Sequence, residues 1–190
     1  MRAMRVLQGF NLRFAVIIAL YGGAVFLGYR DEVLGPVLAP FAPWTAYITL
    51  VLVHGLGIDA VQYGTVLAHP NGFAYVVIYS CTGFLPVIMF IGCVVAYPGT
   101  WRAKCVGIAF GVPLVWMINL LRLVHLFYLG VYNPQMFALA HEVVWQGILA
   151  MTFIALWLSW ICWSEKRVTQ LQHRRERKGQ VLNCESGGSV

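Results

Sequence analysis

Charge is scarce in this sequence. Only 11% of its 190 residues are charged and only seven are acidic, where ordinary globular proteins carry about a quarter charged residues. Hydrophobic residues make up 60% and the mean hydropathy is +0.74. A chain this short cannot hide that much apolar surface inside its own particle, so lipid must cover most of it. A soluble domain is thereby excluded. Metal-site spacing is missing as well. The five cysteines, Cys81, Cys93, Cys105, Cys162 and Cys184, form no CxxC pair and no His/Cys ligand pattern, and His54, Asp59 and His69 are not spaced as ligands. No metal or other cofactor is expected, and no internal repeat is present.

The charge that exists is basic and collected at the ends of apolar runs. It sits at Arg2, Arg5 and Arg13, at Arg102 and Lys104, and in the tail at Lys166, Arg167, Arg174, Arg175, Arg177 and Lys178. Positive residues in those places record cytoplasmic exposure and anionic lipid rather than nucleic acid, which is not an expected partner.

The apolar runs give an all-α polytopic membrane protein of about five transmembrane helices. Leu12–Tyr29 is the first, eighteen residues long and closed by Arg30-Asp31-Glu32. No small-residue cleavage pattern follows it, so it reads as an uncleaved span. Val33–Pro43 has three prolines and reads as a loop. Trp44–Ala60 is a marginal second span, since His54 and Asp59 fall within it. Around His69-Pro70-Asn71-Gly72, the segments Thr65-Val66-Leu67 and Ala74–Tyr79 are β-branched and aromatic, the signature of a short hairpin. Cys81–Tyr97, Cys105–Tyr128 and His141–Trp163 are the third to fifth spans, with Val131–Ala140 as a second short loop. Residues 1–163 form one integral membrane domain and 164–190 a basic cytoplasmic tail, a frayed helix passing into disorder.

With the Arg102/Lys104 turn and the tail in the cytoplasm, Cys81, the hairpin before it and His141 fall on the outer face. The N-terminal half is in conflict. If Trp44–Ala60 spans, parity puts the N-terminus outside despite Arg2, Arg5 and Arg13. If it does not, the segment is re-entrant or interfacial. Five full spans is the reading adopted.

Three polar residues converge at that outer depth. Arg122 is the sole charge in its span, where insertion costs at least about 2.5 kcal/mol. It lies seventeen residues past Cys105, roughly 26 Å along a helix. Each residue has a plain alternative. Arg122 can snorkel to headgroups, Cys81 can be a packing residue and His141 an interfacial polar group. His125, one turn from Arg122, is a second candidate base. Asn119 shares a face with Arg122 and is placed to orient it. Glu142 points about 100° away from His141. Trp145, Trp157, Trp160 and Trp163 read as packing and interfacial anchors, with groove lining as a second role for Trp145.

Cys81-Thr82-Gly83, then Asn119-Leu120-Leu121-Arg122, then His141 resemble in order and spacing the exosortase/archaeosortase family, with its C-[ST]-G, N-x-x-R and final His. The match runs from about Gly72 to Trp145, and the short length is similar to compact, type H-like members. The resemblance implies a cysteine protease/transpeptidase of the inner membrane with its active site facing the periplasm. Its partners would be exported proteins that end in a short motif, a transmembrane helix and a basic tail. In that chemistry Cys81 is the nucleophile, His141 the base and Arg122 the oxyanion or carbonyl contact. A helix dipole at Cys81 and the nearby guanidinium would both favour a thiolate. The competing reading is a non-enzymatic scaffold or small transporter in which Arg122 binds an anion or lipid. A His141 acyltransferase, the third, lacks the acidic or Asn partner that such a site needs.

Overall fold

The structure, a computed structural model, describes residues 35–186 together with Ala19, Gly22 and Gly23, with side chains followed as far as Arg167. The first expected span, Leu12–Tyr29, lies outside the described residues. The chain runs through a short helix α1 (Gly35–Leu38), α2 (Phe41–Gly55), three strands β1 (Val61–Tyr63), β2 (Val66–Ala68) and β3 (Ala74–Val76), and a 3-10 turn at Tyr79–Cys81. Then follow α3 (Phe84–Ala96), α4 (Trp101–Tyr132), α5 (Pro134–Leu139), a π-helical turn at Ala140–Val144 and α6 (Trp145–Ser186).

Helix α4 is the axis. Thr100 caps it by accepting from the Ala103 amide at 3.4 Å. Its 32 residues extend about 48 Å, well beyond the roughly 30 Å hydrocarbon core, and Pro113 does not interrupt it. What stops it is Asn133-Pro134. Proline forces the residue before it out of the helical region, and Asn133 is accordingly at φ −148°, ψ 69°. Pro134 then opens α5, where its missing N–H costs nothing.

The expected loop at Val131–Ala140 is therefore wrong. Gln135-Met136-Phe137-Ala138-Leu139 contains nothing that breaks a helix, and the chain stays helical from Pro134 through the π-turn into α6. The two stretches long and apolar enough to cross a membrane are Trp101–Tyr132 and Pro134–Arg167. Only 39% and 17% of their apolar windows are buried by protein. Phe110, Met117, Leu121, Met151 and Ile154 are more than half exposed, so these are lipid-facing helices and not the core of a soluble bundle.

The other two spans expected in this region are shorter. Helix α2 has 15 residues and ends at Gly55, five residues before the expected limit, and α3 has 13. At about 1.5 Å per residue both fall short of the hydrocarbon thickness. Trp160 on α6 donates to the Ala103 carbonyl of α4 at 2.9 Å, and Phe90 on α3 packs edge-on to Phe153 of α6 at 5.8 Å. These contacts close the three-helix packing of α3, α4 and α6.

The chain is thus mostly helical rather than all-α, because the expected hairpin is a three-stranded antiparallel sheet in the order β1-β2-β3. Strands β2 and β3 flank the His69–Gly72 turn as expected, and β1 joins them through the two-residue turn Gly64-Thr65. One face of the sheet lies on α2 and the far end of α4, where Leu67, Val77, Ala46, Val53, Val124 and Phe127 form a core. Phe73 sits directly over Gly130, where a Cβ would come within 1.8 Å of its ring. Asn71 ties the turn to α4 by donating to the Val131 carbonyl at 3.2 Å.

Glycine at 130 is therefore a condition for seating the sheet. Gly130→Ala should lower the melting temperature in detergent, corresponding to about 1–3 kcal/mol of overpacking. Gly147→Ala, with nothing within 4 Å of its Cβ, should be neutral or slightly stabilising. Equal melting of the two variants would show that Phe73 moves aside freely.

Candidate active site

The Cys81 turn is held from two sides. Ile78 arrives extended and the chain tightens into the 3-10 turn, with the Cys81 amide donating to the Ile78 carbonyl at 2.8 Å. Thr82 is fully buried, and its hydroxyl is satisfied by donating to the Tyr79 carbonyl. Gly83 turns the chain with φ +81°, a conformation open to glycine at little cost. A Cβ there would also lie 2.9 Å from the Asn119 amide nitrogen. Asn119, only 1% exposed, donates from that nitrogen to the Cys81 carbonyl at 2.8 Å. The hydroxyl and the glycine after Cys81 therefore have separate physical reasons.

Two expectations change. Cys81 does not open the span helix, because the left-handed Gly83 separates its turn from α3, which begins at Phe84. Helix-dipole effects decay within the first turn, and α3 begins three residues beyond Cys81. Asn119 does not point its amide at Arg122 but binds the cysteine loop.

Arg122 follows one turn along α4. Its side chain is 5% exposed, turned into the protein instead of outward to lipid. Its Nε is buried and has no hydrogen-bond partner among the described residues. A buried donor left open is costly, by about 1–3 kcal/mol or more for a charged group.

Tyr75, which sequence reasoning passed over as a strand residue, packs with Cys81 onto the same core. Its hydroxyl donates to the Leu123 carbonyl at 3.3 Å. Burial pushes its pKa well above the ordinary phenol range; Cys81 adds to the rise and Arg122 opposes it. The phenol thus stays a neutral donor beside both groups. No sequence pattern marks it, since Tyr is an ordinary strand residue.

His141 sits on the π-turn, its ring stacked on Phe137 at 6.0 Å and 8°. Phe137 in turn meets Phe73 of the sheet edge-on at 5.7 Å. The charge of Arg122 acts on His141 as well as on Tyr75, so the guanidinium is within electrostatic reach of both side chains. Glu142 also acts on His141 but is itself exposed. A π-turn inserts one extra residue into a helix, and no feature of Ala140–Val144 announces it in the sequence.

His125 has a different place. Its Nδ1 accepts from Trp145 Nε1 at 3.0 Å, which leaves the proton on Nε2 and engages the lone pair a base would use. Trp145 is 6% exposed and packs with Leu126 and Ala140. It ties α6 to α4 one turn beyond His141. Of the remaining cysteines with described side chains, Cys93 is buried in α3, and Cys105 and Cys162 are exposed. Among the described residues no group of His, Cys, Asp or Glu could hold a metal ion.

Residues 4–161 match the family described as Transmembrane exosortase (Exosortase_EpsH). No curated protein and no solved structure matches the chain significantly. The matched stretch takes in Cys81, Asn119, Arg122 and His141 and most of the chain's length, including α4 and the greater part of the last apolar span. This chain belongs to the transmembrane exosortase family and is a polytopic membrane protein.

Proposed function

We propose that this protein is a cysteine peptidase/transpeptidase that cleaves C-terminal sorting signals of exported proteins at the outer face of the inner membrane. The observation that carries the proposal is the Asn119–Cys81 hydrogen bond, which joins the cysteine turn to the helix bearing Arg122. The buried Nε of Arg122, without a hydrogen-bond partner among the described residues, supports a carbonyl or oxyanion contact. His141 is the base: it takes the Cys81 thiol proton, and the thiolate sulfur attacks the scissile carbonyl. Arg122 holds the negative oxygen of the tetrahedral intermediate. The C–N bond then breaks as His141 returns the proton to the leaving amine, leaving a thioester on Cys81. Water or an acceptor nucleophile attacks that thioester and restores the thiol.

The orientation rests on charge. Arg102 and Lys104 start α4, and Lys166 and Arg167 lie toward the end of the last apolar span, so the antiparallel helices put basic ends on one side. That side is cytoplasmic, residues 164–190 are a cytoplasmic tail, and the Cys81 turn faces the periplasm. The partners are exported proteins carrying a short motif, a transmembrane helix and a basic tail, with membrane lipid around the helices.

In cells co-expressing such an exported protein, Cys81→Ala should abolish its processing. Joint replacement of Cys93, Cys105, Cys162 and Cys184 should leave most of it. Full processing by Cys81→Ala removes the thioester route. In spheroplasts an impermeant maleimide should label Cys81 and reach Cys184 only after lysis; labelling of Cys184 from outside would invert the topology.

Arg122→Lys separates guanidinium chemistry from charge alone. An ammonium can snorkel as well as arginine but reproduces guanidinium geometry poorly. The Lys variant should accumulate normally and cleave about 10-fold to 1000-fold more slowly, with Arg122→Ala at least as impaired. Cleavage by the Lys variant at the parental rate would return Arg122 to a lipid or anion contact.

A further inference from the structure

Among the described residues, strand β3 is bonded along one edge only. Its register with β2 pairs Val66 with Val76, Leu67 with Tyr75 and Ala68 with Ala74. On either side, the His69 amide donates to the Phe73 carbonyl and the Val77 amide to the Thr65 carbonyl, both at 2.8 Å. Hydrogen-bonded pairs alternate with non-bonded ones in an antiparallel ladder. Phe73, Tyr75 and Val77 therefore turn their backbone groups toward β2, while Ala74 and Val76 turn theirs outward. Among the described residues nothing pairs with those outward groups.

The opposite edge differs. β1 packs against α2, and Gln62 bridges to the Pro43 carbonyl at 3.0 Å. On the β3 side, Val76 and Ile78 are 52% and 51% exposed. The segment Phe73-Ala74-Tyr75-Val76-Val77-Ile78-Tyr79 has no proline and no charge, the devices that normally blunt a free edge. In hydrocarbon, unpaired backbone groups are strongly disfavoured, so this edge meets water or another polypeptide. It also leads straight to the cysteine: Val76 precedes Cys81 by five residues, at most about 16 Å of extended chain.

We propose that the free edge of β3 binds the substrate, taking the extended segment next to the scissile bond as a fourth strand. The proposal rests on the peptidase reading of Cys81 and specifies how its substrate is held. Pairing at Ala74 and Val76 uses main-chain groups present in any sequence. It straightens the substrate backbone and carries the following peptide bond toward the Cys81 sulfur, which supplies orientation for attack. Val76 and Ile78 offer apolar side chains to alternate substrate residues on the exposed face.

Val76→Pro tests the edge. Proline removes the outward N–H without touching the bonds to β2, and its φ suits a strand. With a purified fusion protein ending in a short motif, an apolar helix and a basic tail as probe, the variant should keep its melting temperature. Its KM should rise at least about 10-fold, with kcat changed much less. Unchanged KM in a normally folded variant overturns the proposal.

A disulfide scan decides the question even if Val76→Pro fails to accumulate. Full-length protein carrying Val76→Cys and Cys81→Ala, its other cysteines replaced, is oxidised with probe proteins bearing single cysteines at eight consecutive positions before the apolar helix. Strand pairing gives crosslinks at every second position. Crosslinks at every third or fourth position, at all positions, or at none, overturn it. Because this scan reads binding without chemistry, the two readings separate. Period-two crosslinks with a parent enzyme that cleaves nothing would keep the edge and remove the peptidase. Cleavage with an aperiodic scan would do the reverse.

Discussion

The hydrogen bond from Asn119 to the Cys81 carbonyl joins residues 38 positions apart in the chain, and the geometry of the site depends on it. Apart from this bond the 3-10 turn is held by the sheet before it, by α3 after it and by packing on α2 and the core. With it, the turn is fixed to α4, the longest fully described apolar helix in the molecule. The close approach requires glycine at position 83 and a buried side chain at 119. A bond of this kind contributes about 1 kcal/mol net, but breaking it strands a buried amide at a cost of about 1–3 kcal/mol. Its larger effect is to fix the cysteine turn to the helix that carries Arg122.

Membrane chemistry sets the second constraint. Long helices can expose Phe110, Met117 or Met151 to lipid because their backbone groups are satisfied internally. The sheet does not suit hydrocarbon, because among the described residues Ala74 and Val76 leave backbone groups open along β3. That cost favours the aqueous boundary for the three strands, which the cysteine turn directly follows. Aromatic contacts from Phe127 to Phe73 and on to Phe137 and His141 carry the packing from the sheet to the last helix. Aromatic packing thus links the sheet that precedes the cysteine turn to the π-turn that carries His141.

Arg122 is a point of energetic tension beside the cysteine turn's anchor. It is buried and its Nε has no hydrogen-bond partner among the described residues, whereas Tyr75, Asn119, His125 and Trp145 all have theirs. Proteins retain such unsatisfied groups where a ligand completes them. The contrast with His125, whose acceptor nitrogen is already occupied by Trp145, is what separates the two histidines near the site.

The sequence alone determined the membrane class, since no fold of this length can bury 60% hydrophobic residues. It also determined the β2–β3 hairpin through its turn residues and the family through C-T-G, N-x-x-R and His141, because these are local patterns. Tertiary structure decided the rest. Asn119 could be placed near Arg122 by helical spacing, yet its bond runs to a distant carbonyl that spacing cannot reveal. The loop expected at Val131–Ala140 became helix because one Asn-Pro step is enough to redirect a chain without unwinding it. Strand β1, Tyr75 and the π-turn carry no distinctive residues, so only packing against α2, α4 and Phe73 selects them. The orientation of each polar group is set by which neighbour is close enough to bond it, and that is a property of the folded chain alone.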